Sequence, residues 1–538
     1  MAYSITTAFL PPFLRVSELK LVPFPRYAPS SPETRSPLRT RRANGIRSKL
    51  RFVRSLVSAI LILTASAPAF LQPTRPDLVI TRVTVIDAEG TPPAERTVIV
   101  RNGAISEIAS VEDDVPDAAV TINGRGKFLI PGLWDMHVHL SIRPEPQLAE
   151  RVMLPVFLAY GVVGVRDMGG PAARVLEIRD QVNRGGLTGP RIITPGPFID
   201  GPGETEPMFR RVANAIEGRE AVRELAKAGV DFVKVQANLT KETYDAIVDE
   251  ARARKIVVAG HVPVALPLAD VIRANQRSIE HISPALVGDG GVLFACSSRE
   301  SELRTELLAI ERERATLKPD QVRAREAALR AHLVKSFDPE RARAIGRQLK
   351  DRQVWLVPTL IWSNSFRPLA TTDNGAYLPL DIVPAEARER WQDNRARYLK
   401  AAPPDAYAAA ADVARVSGVA IATMHAAGAK VLAGTDTFDA FVLPGFSLHQ
   451  ELALLVKAGL SPLAALQSAT KSAADYRATL DREGTIARKK RADLVLLDAN
   501  PLADIANLSQ IHAVVQAGRV FTRAELDKML QSARDAAR

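Results

Sequence analysis

The sequence predicts an α/β protein: a (β/α)8 TIM barrel joined to a small β-sandwich domain built from both chain ends. Three observations carry this expectation. Through the middle of the chain, short β-branched runs alternate with helical stretches, the mark of repeated β/α units. On both sides of that region stand short strand-like runs separated by tight turns. At 538 residues the chain is long enough for one large core and a smaller companion.

Residues 1–69 are expected to form a leader, a disordered extension followed by a signal peptide. Arg47, Lys49, Arg51 and Arg54 precede the apolar run LVSAILILTASAPAF. That run contains Ala67-Pro68-Ala69, a small-x-small pattern that places cleavage after Ala69 and implies export, to a bacterial periplasm. A retained amino-terminal anchor is the competing reading, although the run is short for a membrane span. Residues 1–69 hold 11 of the 71 Lys and Arg residues but only 2 of the 60 Asp and Glu. The formal charge of +11 therefore belongs mainly to the leader, and the body offers no electrostatic case for nucleic acid. Cys296 is the only cysteine, so no intramolecular disulfide can form.

Residues 70–130 read as the first part of the sandwich, with LVITRVTVIDAEG, RTVIVRNGAISEIAS and AAVTINGRGKFLIPG separated by turns such as Asn102-Gly103. Residues 131–480 carry eight expected barrel strands. They are LWDMHVH (133–139), VVGVRDM (162–168), RIITPG (191–196), DFVKVQ (231–236), IVVAGH (256–261), SIEHI (278–282), VWLVPTL (354–360) and KVLAGTD (430–436). A barrel of this kind needs ~250 residues. The excess lies in helical insertions at about 297–350, densely charged and read as a solvated face, and about 363–415. Residues 481–522 return to short strands that complete the sandwich, and 523–538 are expected as a tail.

Active sites of such barrels sit at the C-terminal ends of the strands. His137 and His139 end the first strand and share one of its faces, because strand residues two apart project together. His261 and His281 end strands five and six, Lys234 lies in strand four and Asp436 ends strand eight. Imidazole nitrogens with a carboxylate suit Zn²⁺ or a related divalent ion. Lys234 sits between apolar neighbours in VDFVKVQ, where a lysine needs an anionic partner, a lowered pKa or a covalent modification. Reaction of its neutral amine with CO2 gives a carbamate whose two oxygens can bridge two metals; a salt bridge to Asp167 or Glu280 is the alternative. His425 and His449 are expected on flanking helices in packing roles, and His332 and His512 as surface or ordinary structural residues. Tyr160 and Arg166 could meet substrate.

The segments PGLWDMHVH, GVVGVRDMGG, VDFVKVQ, SIEHI, LAGTDTF, PGFSLHQELALLVKAGLSPLAALQSAT and RADLVLLDANPL together resemble the amidohydrolase superfamily, in its imidazolonepropionase-like and Xaa-Pro-dipeptidase-like branch. The resemblance covers roughly residues 77–522. It implies a binuclear site in which His137, His139 and Asp436 hold one ion, His261 and His281 the other, and carboxylated Lys234 bridges two divalent ions, with Zn²⁺ the first expectation. Strand five departs from the pattern with AGHVP, and Arg488-Lys489-Lys490 replaces a late Gly-Lys-rich turn.

The activity this implies is metal-dependent hydrolysis of an amide or peptide-like bond, in a dipeptide or N-acyl amino acid. A hydroxide held between the metals would attack the carbonyl, with Asp436 as the proton shuttle. Hydrolysis of cyclic amides, lactones or phosphotriesters is the alternative, and a catalytically silent binding protein a further one. The expected partner is a small-molecule substrate, with no nucleic acid, no membrane beyond targeting or an amino-terminal anchor, and a homo-oligomer as an open possibility.

Overall fold

The computed structural model describes residues 76–141, 147–203, 206–282, 291–314, 316–365, 378–401 and 406–538. The expected leader and its cleavage motif lie outside the described residues. Among the described residues, no helix is long and apolar enough to cross a membrane.

The described residues begin with five strands: β1 Leu78–Val85, β2 Ala94–Arg101, β3 Ala104–Ala109, β4 Val120–Asn123 and β5 Phe128–Pro131. β1 pairs antiparallel with β2 along one edge. Along its other edge it pairs in parallel, first with β4 and then with β5. The register against β2 shifts between Ile80 and Val83, where Arg82 adopts a φ of +52°. This bulge inserts a residue, so that Leu78, Ile80, Val83 and Val85 all reach the same buried apolar cluster despite breaking strict alternation.

Ten short strands follow: β6 Leu133–Val138, β7 Val162–Asp167, β8 Arg191–Ile193, β9 Phe198–Asp200, β10 Phe209–Arg211, β11 Val233–Val235, β12 Val258–Gly260, β13 Ser278–Glu280, β14 Trp355–Val357 and β15 Lys430–Val431. All pair in parallel, in one sheet ordered β6-β7-β8 and another ordered β10-β9-β11-β12-β13-β14-β15. The residues of β6, β7 and β11–β14 are all buried, as expected where helices cover a parallel sheet and both of its faces are packed. Each of the eight stretches anticipated from the sequence contains one of these strands. β9 and β10 were not anticipated, because the Gly- and Pro-rich FIDGPGETEPMFRR around them shows no strand period. At one seam between the sheets the Met136 N–H donates to the Ala433 carbonyl at 2.9 Å. At the other, the Asp231 N–H donates to the Thr194 carbonyl at 2.9 Å.

Only Gly132 separates β5 from β6, so the small sheet feeds directly into the strand carrying the histidine pair. The bend is tight: a Cβ on Gly132 would lie 2.4 Å from Val163 Cγ2. The last strands, β16 Leu494–Leu497, β17 Ile511–Gln516 and β18 Arg519–Thr522, return to that sheet. β16 pairs antiparallel with β5, joining both chain ends into one eight-stranded set.

The charged segment at 297–350 forms helices Glu300–Glu313, Pro319–Lys335 and Pro339–Asp351. In the first, Leu303, Leu307 and Ile310 recur at helical spacing and are buried, leaving the charges on the outer side. Residues 523–538 are the segment expected as a tail. They form helix Arg523–Ala536, opened by a capping box between Thr522 and Glu525 and packed through Leu526 and Ala533.

Candidate metal and catalytic site

The loops after β6, β13 and β15 converge on one cluster. His137 lies within β6 and His139 immediately follows it, and both direct Nε2 toward the same atom. His137 Nε2 lies 3.4 Å and His139 Nε2 3.2 Å from Asp436 Oδ1. The other ring nitrogens are held in place: His137 Nδ1 by Glu280 Oε2 at 2.9 Å, His139 Nδ1 by the Gly169 carbonyl at 3.0 Å. A ring N–H donated to a carboxylate or carbonyl fixes the tautomer and leaves Nε2 as the free lone pair. His137 Nε2 is buried and makes no hydrogen bond among the described residues, an arrangement that suits a ligand better than a packing histidine.

Asp436 adopts a φ of +65°, in the left-handed region that disfavours ordinary side chains. Its N–H donates to the His137 carbonyl at 2.7 Å, which ties the strained turn to the strand carrying the histidines. His281, with φ +63°, follows β13 and places Nε2 3.9 Å from Asp436 Oδ2. Its Nδ1 lies 2.7 Å from Thr359 Oγ1. The His261 ring is centred 4.9 Å from that of His281, at nearly a right angle. Lys234, in the middle of β11, is 1% exposed, with Nζ 4.8 Å from the Phe198 ring centre. Phe198 also packs edge-on against His139, with centres 5.6 Å apart.

Among the described residues, His137, His139 and Asp436 form the compact donor set, their ligand atoms all within 4.8 Å of one another. His281 lies at its edge, His261 joins through the His281 ring, and Lys234 adjoins through Phe198. Burial drives the His137 pKa well below the usual imidazole range, opposed by Asp436 and aided by the positive field of Lys234. Burial works against ionisation of Asp436, but His137, His139 and His281 outweigh it and hold the carboxyl well below its usual range. A neutral imidazole beside a carboxylate is the protonation state in which both bind a cation.

Several supporting residues escaped the sequence reading. Asp135 Oδ1 accepts the N–H groups of His137 at 3.2 Å and Thr435 at 3.1 Å, and its Oδ2 accepts the Thr435 hydroxyl at 2.7 Å. It staples the histidine strand to the Asp436 loop, and burial raises its pKa to about 7. The period of LWDMHVH contained a signal, since Asp135, His137 and His139 alternate. Glu451 accepts N–H groups from Leu360 and Ile361, just beyond the Thr359 that holds His281. The Trp362 indole packs 5.2 Å from the His281 ring and donates to Asp439 Oδ2 at 2.9 Å.

Arg166 and Tyr160, considered as substrate contacts, both make contacts within the fold. Arg166 is fully buried and donates to both Glu280 oxygens, to Ser278 Oγ and Tyr476 Oη, and to the Met136 carbonyl. Glu280 is thus shared between Arg166 and His137. Asp167, the other carboxylate considered for Lys234, accepts the Leu140 N–H and the Thr194 hydroxyl. The Tyr160 carbonyl accepts from His449 Nε2 at 2.9 Å, a packing contact between a helix end and its neighbour. His425 lies 3.3 Å from the Ala429 carbonyl, beyond its own helix end. His332 and His512 are partly exposed beside Glu306 and Asp498.

Residues 128–311 and 373–521 match the amidohydrolase family. The chain belongs to the amidohydrolase family. Among solved structures, this amidohydrolase is similar to the bottromycin amidohydrolase, with a TM-score of 0.66 and 22% identity, over 85% of this chain and 90% of that one. It is also similar to an Xaa-Pro dipeptidase with methionine bound in the active site, with a TM-score of 0.58 and 21% identity, over 83% of this chain and 99% of that one. The fold of these neighbours is of the TIM-barrel type, in keeping with the parallel strands described above. Ochratoxinase of Aspergillus niger is 23% identical over 284 residues, 41% of this amidohydrolase and 58% of the relative. The chain thus spans less than two thirds of the length of this curated relative.

Proposed function

We propose that this amidohydrolase uses divalent metal to cleave an amide or peptide-like bond in a small substrate, with a dipeptide or an N-acyl amino acid as the substrate class. The observation that carries the proposal is the convergence of His137 Nε2 and His139 Nε2 on one oxygen of Asp436. The Xaa-Pro dipeptidase neighbour supports the substrate class.

The donor set fits a metal: two imidazoles with their far nitrogens already engaged, and a carboxylate held ionised beside them. His137, His139 and Asp436 would hold one divalent ion, and His261 and His281 a second, with Lys234 carboxylated by CO2 to bridge them. Zn²⁺ is the first ion to test. Such ions polarise a carbonyl and lower the pKa of a coordinated water.

The protein's own groups do the rest. Asp436 accepts the proton of the attacking water and passes it to the departing amine, as general acid–base chemistry requires. Its strained turn, held by the His137 carbonyl and by Asp135 through Thr435, keeps that carboxylate in one place. Phe198 and Trp362 supply apolar surface beside His139 and His281, which shields the site from bulk water.

The two parallel sheets, hydrogen-bonded at Met136–Ala433 and Asp231–Thr194, are read as one closed barrel. The eight-stranded set is read as a sheet curled into a small sandwich, because side chains of β1, β2, β16 and β17 share one apolar cluster. Residues 1–69 are proposed to export the enzyme to a bacterial periplasm, which amino-terminal sequencing of the secreted chain would check by a start at Phe70.

The decisive experiment is a screen of the metal-loaded protein against dipeptides, N-acyl amino acids, lactones and phosphotriesters. Turnover of either of the first two classes, lost in Asp436→Asn, is expected. Turnover confined to lactones or phosphotriesters would overturn the substrate class, and full activity in Asp436→Asn would overturn the shuttle.

A further inference from the structure

Four arginines line a cavity of about 360 Å³ near the start of β6, at the end of that strand opposite the histidine pair. They are Arg191, Arg477, Arg491 and Arg519, and the Trp134 and Phe521 rings form part of the wall. Arg477 lies over one face of Trp134, 3.4 Å from the ring centre, and Arg191 is 5.1 Å from it. Arg519 lies over Phe521 at 4.5 Å.

Two carboxylates answer these guanidinium groups. Glu483 accepts from Arg191 and, at 2.5 Å, from Arg477. Asp493 accepts from Arg191 at 3.0 Å and from Arg491 at 2.9 Å. Their bonds do not exhaust the donors. Arg477 Nη2 and Arg191 Nε are buried and have no hydrogen-bond partner among the described residues. The Arg477 side chain is only 8% exposed, and an N–H left unpaired there is desolvated without compensation. Four guanidinium groups against two carboxylates leave an excess of two positive charges. Burial has already lowered the Arg477 pKa to about 10, so an added anion would relieve a real electrostatic cost.

We propose that this cavity binds a doubly charged phosphate group, free or as the monoester of a small organic molecule. The chemistry is complementary: a tetrahedral dianion accepts from several forked guanidinium donors at once and matches the excess charge. The cavity is larger than an oxyanion alone requires, and the Trp134 and Phe521 rings offer an apolar wall for an organic body. Five residues of β-geometry, roughly 16 Å, separate Trp134 from His139, so this site is distinct from the histidine cluster.

The test is calorimetric titration of the metal-loaded full chain with inorganic phosphate and with phenyl phosphate at constant ionic strength. Saturable binding of at least one probe is expected, at one site per chain. Tighter binding of phenyl phosphate would identify a monoester site, and equal or tighter binding of phosphate a site for the free ion. Arg519→Ala, an exposed position, should weaken this binding at least tenfold, and Arg491→Ala combined with Arg519→Ala should abolish it. His139→Ala should leave it in place. Absence of saturable binding by both probes would overturn the proposal. So would binding indifferent to the arginine substitutions, or binding abolished by His139→Ala, which would place the anion at the histidine cluster.

Discussion

Gly434 lies against His137 so closely that a Cβ built on the glycine would sit 2.7 Å from the His137 Cβ. The same atom would meet Val357 Cγ1 at 2.7 Å, so neither side offers room. The glycine is therefore what lets the Asp436 loop reach the strand carrying both histidines. Gly434→Ala is expected to push His137 away from Asp436, at a stability cost of about 1–3 kcal/mol for the overpacking. Bound metal per chain and amidase activity should both fall at least tenfold, while the far-ultraviolet circular dichroism of the folded chain persists. Unchanged metal content in this variant would show that the close approach does not matter.

Lys234 should govern how many ions the site holds. Lys234→Ala removes the only amine available for carboxylation within β11 and leaves the surrounding strand apolar. The wild-type chain, loaded with Zn²⁺ in bicarbonate, is expected to bind two ions, and the variant at most one, measured by elemental analysis. Omitting bicarbonate should lower occupancy in the wild type and leave the variant unaffected. Two ions per chain in Lys234→Ala would rule out the bridge.

Arg166→Met should destabilise the fold more than most single changes. Its guanidinium neutralises Glu280, whose side chain is fully buried and also holds His137. Removing one partner of such a pair leaves an uncompensated charge in the interior, a loss of about 3–5 kcal/mol. Urea unfolding monitored by fluorescence would measure it as a lower midpoint with unchanged slope.

Glu483 should give the protein part of its acid limb. Burial opposes its ionisation, but Arg477 and Arg191 prevail and lower its pKa to about 2. In the unfolded chain the same carboxyl titrates at its ordinary, higher value, so between those two values the unfolded state binds the extra proton. The stabilisation is complete above the ordinary glutamate range and disappears as the pH falls toward about 2, amounting to about 3 kcal/mol. Glu483→Gln should be less stable than the wild type near neutrality, and the gap should narrow steadily as the solution is acidified. A constant gap across that range in pH-resolved denaturation would contradict this account.

The local reading of the sequence found eight of the ten parallel strands β6–β15 because each of the eight lies in a short apolar run bounded by turn or helix signals. Lys234 stood out in VDFVKVQ for the same reason, as a charge where the pattern demanded none. β9 and β10 were missed because three-residue strands among glycines and prolines carry too little period to register. Helix Arg523–Ala536 was missed as an element, although Thr522 and Glu525 spell out its capping box. Asp135 was the most informative omission. It shares the two-residue alternation of His137 and His139, but its role depends on Thr435, 300 positions away.

By itself, the sequence determined which residue types stand in and at the ends of the strands, and therefore the chemistry available there: imidazoles, one carboxylate and one buried amine. These follow from composition and period, which nearest neighbours along the chain control. Only the tertiary structure decided which of them meet. The convergence of His137 and His139 on one Asp436 oxygen, the sharing of Glu280 between His137 and Arg166, and the left-handed turns at His281 and Asp436 all depend on strands distant in sequence. Such contacts are set by packing and by the pairing of buried polar groups, neither of which leaves a periodic trace in the chain.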